Sequence, residues 1–169
     1  ATPPTNTQTQ LIIHVDDDQD DVELDATRYE QLARSVLGRQ GVHQACELSV
    51  LFVSSEMIAE LNKQHMGHEG PTDVLAFPID EDVSQPQAEN GAPLLLGDIV
   101  VCPSVAATNC PANKGSYPGH QGTVTDEIDL LVVHGILHVL GMDHADAKDQ
   151  QHMQDLERTH LAAFREREL

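Results

Sequence analysis

With 169 residues the chain can bury a substantial core, and Leu, Val, Ile and Ala must build it because aromatic residues make up 3% and Trp is absent. That scarcity argues against an aromatic platform for stacking bases, and no stretch approaches the roughly twenty apolar residues that span a bilayer. Nine basic residues against 28 acidic ones give a net charge of −19, which in bulk argues against a polyanionic partner; three cysteines without a CxxC pair offer neither a disulfide framework nor a thiolate zinc site.

Residues 1–10 are polar and rich in Thr, Gln and Pro, and read as a flexible tail without an apolar signal region. Leu11–Val15 reads as a first strand that runs into an acidic turn, Asp16–Asp21. This run lacks the spacing, the Gly and the distal Glu of an EF-hand loop, and reads as a solvated segment. Leu24 to Gly38 has helical spacing, with Leu24, Leu32, Val36 and Leu37 on one face. Cys46–Val53 alternates as a second strand through Leu48, Val50 and Phe52. Ser54 or Ser55 caps a helix whose apolar stripe is Met57, Ile58 and Leu61.

Thr72–Pro78 reads as a third strand, Asp80–Pro93 as a loop, and Leu94–Pro103 as a fourth strand, with Pro103 opening a short helix to about Thr108. Pro111–Gly122, bearing Gly and Pro, is a second loop. Thr123 or Thr125 caps a helix that is apolar nearly all round and therefore central. A last helix, about Asp146–Arg167, packs through Met153, Leu156, Leu161 and Phe164. The order predicts an α+β fold: a single domain over residues 11–169, with a small four-stranded mixed sheet covered by helices around a central metal-bearing helix.

That helix carries the most informative pattern. His134, His138 and His144 stand at i, i+4 and i+10, with Gly141 between the second and third. Residues four apart share a helix face, so two imidazoles can address one point. A third at i+10 reaches that point only if the helix ends, and Gly141 takes a positive φ at low cost. Three histidines leave a tetrahedral ion one open position, which is a catalytic arrangement. The spacing is that of the HExxHxxGxxH zinc proteases, but Gly135 occupies the position of their general base, so peptide hydrolysis loses its proton acceptor.

Two segments together resemble one family. His134-Gly-Ile-Leu-His-Val-Leu-Gly-Met-Asp-His144 is similar to the HGxLHLxGYDH motif of the YbeY-type endoribonucleases, bacterial metal-dependent enzymes of ribosomal RNA maturation. Pro71–Pro78 resembles their TDVLSFP segment, and Leu61-Asn62, Leu96-Gly-Asp-Ile99 and Glu127 match in order. The resemblance implies cleavage of single-stranded RNA, notably at the small-subunit ribosomal RNA 3′ end. It implies His134, His138 and His144 as metal ligands and as the catalytic centre, with one zinc per chain; three imidazoles also suit nickel, copper or cobalt. It also implies ribosomal RNA, the small ribosomal subunit and associated factors as partners, ribosome quality control as a role, and a cytoplasmic site of action without membrane involvement.

The chain departs from the family pattern at three places: Met66 stands where an Arg is expected to face substrate phosphate, Ala76 replaces a Ser, and Met142 replaces a Tyr. Lys63, His65 or His68 lies near enough in sequence to substitute for that Arg. Asp143 reads as an orienting residue or as a turn residue, Asp73 and Asp98 as capping or loop-orienting residues, and Glu127 as a ligand-orienting residue or a carboxylate facing the helix dipole. The remaining histidines, His14, His43, His65, His68, His120, His152 and His160, read mostly as surface residues. The competing functions are a metal-dependent hydrolase of a peptide or ester, and a non-catalytic ribosome-associated factor.

Overall fold

The computed structural model describes residues 11–42, 44–79, 93–143 and 145–168. The expected tail at residues 1–10, the expected loop at residues 80–92, His43 and His144 lie outside the described residues. Along the chain run β1 (Leu11–Asp18), α1 (Ala26–Arg39), β2 (Cys46–Val53), α2 (Ser55–Met66), β3 (Val74–Pro78), β4 (Leu94–Val101), α3 (Pro103–Asn109), α4 (Val124–Val139) and α5 (Ala147–Glu168). The sheet order is β1-β2-β4-β3, with β1, β2 and β4 parallel and β3 antiparallel to β4. This is the expected α+β architecture with a mixed sheet.

The main core lies between one sheet face and α1, α4 and α5. Leu48, Val50 and Phe52 of β2 point into it, as the alternation requires, beside Leu32, Val36, Ile128, Val132 and Ile136. The intervening β2 residues Leu51 and Val53 face a smaller cluster on the other side, where Ile58 and Leu61 of α2 pack with Leu75, Phe77 and Val100. Apolar residues on both sides of β2 fit a strand with parallel neighbours on each edge.

Several boundaries and one stripe differ from the sequence reading: the first helix starts at Ala26 rather than Leu24, and β4 ends at Val101 rather than Pro103. β1 continues through Asp16–Asp18, which pair with Leu51, Phe52 and Val53, so the acidic turn begins later. Ladder bonding asks only for backbone, and on this edge strand the three carboxylates stay exposed to water. Met57 is 46% exposed; the buried face of α2 is instead Ile58 and Asn62, with Leu61 half-buried. β3 starts at Val74, two residues after Thr72.

An irregularity in β4 shapes the site. Pairing slips between Glu47 and Leu48, whose partners are Leu95 and Gly97, so Leu96 bulges out of register. Gly97 has φ +149°, and a Cβ there would sit 2.3 Å from the Phe77 carbonyl oxygen. A glycine is thus needed for β3 to approach β4 at Pro78.

Candidate metal centre and its cleft

Thr123 caps α4 by accepting from the Asp126 N–H at 3.1 Å. Three buried carboxylates follow, and each has its donors. Asp126 accepts from the Gln121 N–H and lies 3.5 Å from Arg165. Glu127 accepts from Asn113 Nδ2 and His120 Nε2, both at 2.9 Å. Asp129 takes a two-pronged contact from Arg28, through Nε at 3.1 Å and Nη2 at 2.5 Å. Placed in the first two turns, these charges also lie at the favourable end of the helix dipole.

The second half of α4 carries the imidazoles. His134 and His138 are partly buried, with ring centroids 4.5 Å apart and their Nε2 atoms facing each other at 3.0 Å. His134 Nδ1 contacts Glu157 Oε1 at 2.5 Å, reaching across to α5. A carboxylate can only accept, so the His134 proton resides on Nδ1 and its Nε2 presents a lone pair.

This donor set fits a divalent ion. Two nitrogens bound to one tetrahedral zinc at about 2.0–2.1 Å lie a little over 3 Å apart, close to the spacing found, and a carboxylate on the far nitrogen is the usual support of a ligating imidazole. Among the described residues no group of three or more His, Cys, Asp or Glu forms a metal cluster, and His144 lies outside them.

The helix ends as the spacing predicts. Gly141 has φ +97°, its N–H donates to the His138 carbonyl at 2.9 Å, and the Met142 N–H donates to the Leu137 carbonyl at 3.0 Å. The two bonds form a Schellman closure that turns the chain away from the helix axis before position 144. Gly135 packs on the sheet: a Cβ there would lie 2.6 Å from Ile99 Cγ2. The position that holds the proteases' general base is filled here by close contact between helix and strand.

Beside the imidazoles lies an open cleft of about 830 Å³, walled by α4, by Val74, Leu75, Ala76 and Pro78 of β3, and by Asn62, Met66 and His68 at the end of α2. The family model described as "Endoribonuclease YbeY" matches residues 14–165, a span that includes this cleft and both of its walls.

The chain belongs to the YbeY endoribonuclease family.

Enzymes of this family are hydrolases that act on RNA. The "Endoribonuclease YbeY" of Salinispora tropica is 47% identical over 150 residues, covering 86% of this chain and 90% of its own length. That of Thermobifida fusca is 43% identical over 144 residues, covering 85% and 88%. The solution structure of the Thermotoga maritima protein TM1509 superposes with a TM-score of 0.59 at 25% identity, covering 90% of this chain and 89% of that one.

The departures from the YbeY pattern fall around this cleft. Met66 lines it and is 43% exposed. Of the three candidates to replace the expected Arg, only His68 lines the cleft; His65 sets its ring edge against Phe77, and Lys63 is exposed on α2. Asp73 is the single carboxylate among the described lining residues, which include no Lys or Arg. Asp98 lies in β4 opposite Phe77 and is not part of the lining. Ala76 and Met142 both line the cleft, so their departures from the family pattern fall within it.

Glu127 takes a role that the sequence left unread. It pins the segment before α4 through Asn113 and His120, and His120 Nδ1 in turn accepts from the Gly122 N–H at 3.0 Å. His120 and His160 are both buried, contrary to a surface reading. Glu157 is the functional residue that sequence reasoning missed. Its signal was a carboxylate four residues from Met153 and four from Leu161, within the apolar face of the last helix.

Proposed function

We propose that this YbeY-family endoribonuclease cuts single-stranded RNA in the His134–His138 cleft, with a zinc ion held by His134 Nε2, His138 Nε2 and His144. The observation that supports this most strongly is the convergence of the two Nε2 atoms at 3.0 Å, with His134 braced by Glu157. A divalent ion bound there supplies Lewis acidity toward a phosphoryl oxygen and lowers the pKa of a water to about 7.

The chain's own residues do the rest. Glu157 accepts the Nδ1 proton of His134, which orients the ring with its Nε2 toward His138. Asn62 is fixed by its bond to the Gly70 carbonyl at 3.0 Å, which sets the end of α2 as one lip of the cleft. Leu75, Ala76 and Val139 make an apolar wall beside the imidazoles. Gly135 leaves no carboxylate at the protease position, and this favours a phosphodiester over a peptide substrate.

The biological setting proposed is maturation of the small-subunit ribosomal RNA 3′ end and ribosome quality control in the cytoplasm, with the small ribosomal subunit and its associated factors as partners. No helix among the described residues is long and apolar enough to cross a membrane. The test is purified protein incubated with single-stranded and duplex ribosomal RNA, with and without chelator, beside His138→Ala. Cleavage of the single strand alone, lost on chelation and in the variant, is expected. RNA binding without metal-dependent cleavage would instead favour a non-catalytic ribosome-associated factor.

A further inference from the structure

A second concave surface lies away from the cleft and shares no lining residue with it. It is a groove of about 540 Å³ between the C-terminal half of α1, contributing Gln31, Arg34, Ser35, Gly38 and Arg39, and the last turns of α5, contributing Ala163, Glu166 and Arg167. The chain has nine Lys and Arg residues in all, and three of them meet here, although its net charge is −19. Arg34 is oriented by its bond to the Leu11 carbonyl at 2.8 Å and by Glu30. Arg39 and Arg167 are exposed to solvent on facing walls.

The helix dipole explains part of this, because Arg39 and Arg167 each stand in the last turn of their helices. The dipole does not explain why two helix ends bring their cations into one groove. Nor does it explain a floor of small residues: Gly38, Ser35 and Ala163 leave it open, and a Cβ on Gly38 would meet nothing within 4 Å. Planar guanidiniums around an open floor are the chemistry that receives phosphate oxygens in paired hydrogen bonds.

We propose that this groove binds the phosphodiester backbone of single-stranded RNA at a point remote from the bond being cut. The inference rests on the endoribonuclease reading for its choice of polyanion. Arg167 lies ten residues beyond Glu157, the residue that braces His134, on the order of 15 Å along α5. The groove would then supply the phosphate attraction that the cleft, without Lys or Arg among its described lining residues, does not.

The test is fluorescence anisotropy of the full chain with a single-stranded ribosomal RNA fragment, as a function of salt. It compares wild type, the double variant Arg39→Gln/Arg167→Gln, Lys148→Gln as a charge control on the same helix, and His138→Ala. Each phosphate contact on a single strand contributes about 0.7 to the slope of log Kobs against log salt. The double variant is expected to flatten that slope by about 1.4 and to weaken binding at least tenfold at low salt. Lys148→Gln changes neither by a comparable amount, and His138→Ala binds without cutting. A double variant with wild-type slope, or with a loss no larger than that of Lys148→Gln, would overturn the groove while cleavage by wild type still stood. Wild-type protein that neither binds nor cuts the RNA would overturn the endoribonuclease reading and the groove with it.

Discussion

At His134 the proton position decides what the imidazole can do, and Glu157 sets that position from a neighbouring helix. Replacing Glu157 with Ala removes the acceptor for Nδ1–H and frees the ring to rotate. Metal affinity, read by calorimetric titration of metal-free protein, is expected to fall about 10–100-fold, with Glu157→Gln keeping an acceptor oxygen and losing less. Gly135 poses the opposite problem, since it succeeds by lacking a side chain. With its Cβ position 2.6 Å from Ile99, Gly135→Ala is expected to lower stability by about 1–3 kcal/mol, seen as a lower denaturant midpoint. Gly141 and Thr123 were legible from sequence because their work is local, one turning the chain and the other capping it. Glu157 was not, because its partner lies 23 residues away on another helix and no local pattern links the two.

Among the elements, α4 is fixed at its N-terminal half by polar contacts and at its C-terminal half by packing. Glu127 is the hub of the first set. Glu127→Ala strands His120 Nε2–H and Asn113 Nδ2, of which His120 is deeply buried, and about 3 kcal/mol of stability is expected to go. The segment of residues 110–122 should then become the first site of limited proteolysis. α5 is tied to the end of α1 by His160 Nε2, which lies 2.8 Å from Gln40 Oε1, leaving the buried Nδ1 without a hydrogen-bond partner. Burial, and secondarily the nearby Arg39, lowers the His160 pKa below 6.5.

The unfolded chain therefore takes up the His160 proton first as pH falls, so stability declines below about 6.5. His160→Gln is expected to show a smaller loss between pH 7.5 and 5.5 in denaturant titrations. The order of elements was readable from periodicity, whereas the extension of β1 through Asp16–Asp18 was not. Backbone pairing there does not depend on what the side chains are.

For the whole molecule, the net charge of −19 suggested repulsion of any polyanion, yet few of the described carboxylates line the cleft. Asp16, Asp17 and Asp18 are exposed on an edge strand, Asp126 and Asp129 face Arg165 and Arg28 at the start of α4, Glu127 is hydrogen-bonded there, and the described cleft lining keeps one carboxylate, Asp73. Bulk composition cannot report such a separation, because it carries no information about which residues share a surface. The fold class followed from patterns of two and three to four residues; the strand order β1-β2-β4-β3 and the wall that β3 makes for the cleft depend on long-range packing. In the proposed function, one divalent ion on His134, His138 and His144 is required for RNA cleavage. The most direct measurement is cleavage of single-stranded ribosomal RNA by metal-stripped protein during stepwise zinc addition. Activity should rise to a plateau at one ion per chain in the wild type and stay absent in His134→Ala, His138→Ala and His144→Ala; full cleavage by the metal-stripped protein, or by any of the three variants, would contradict it.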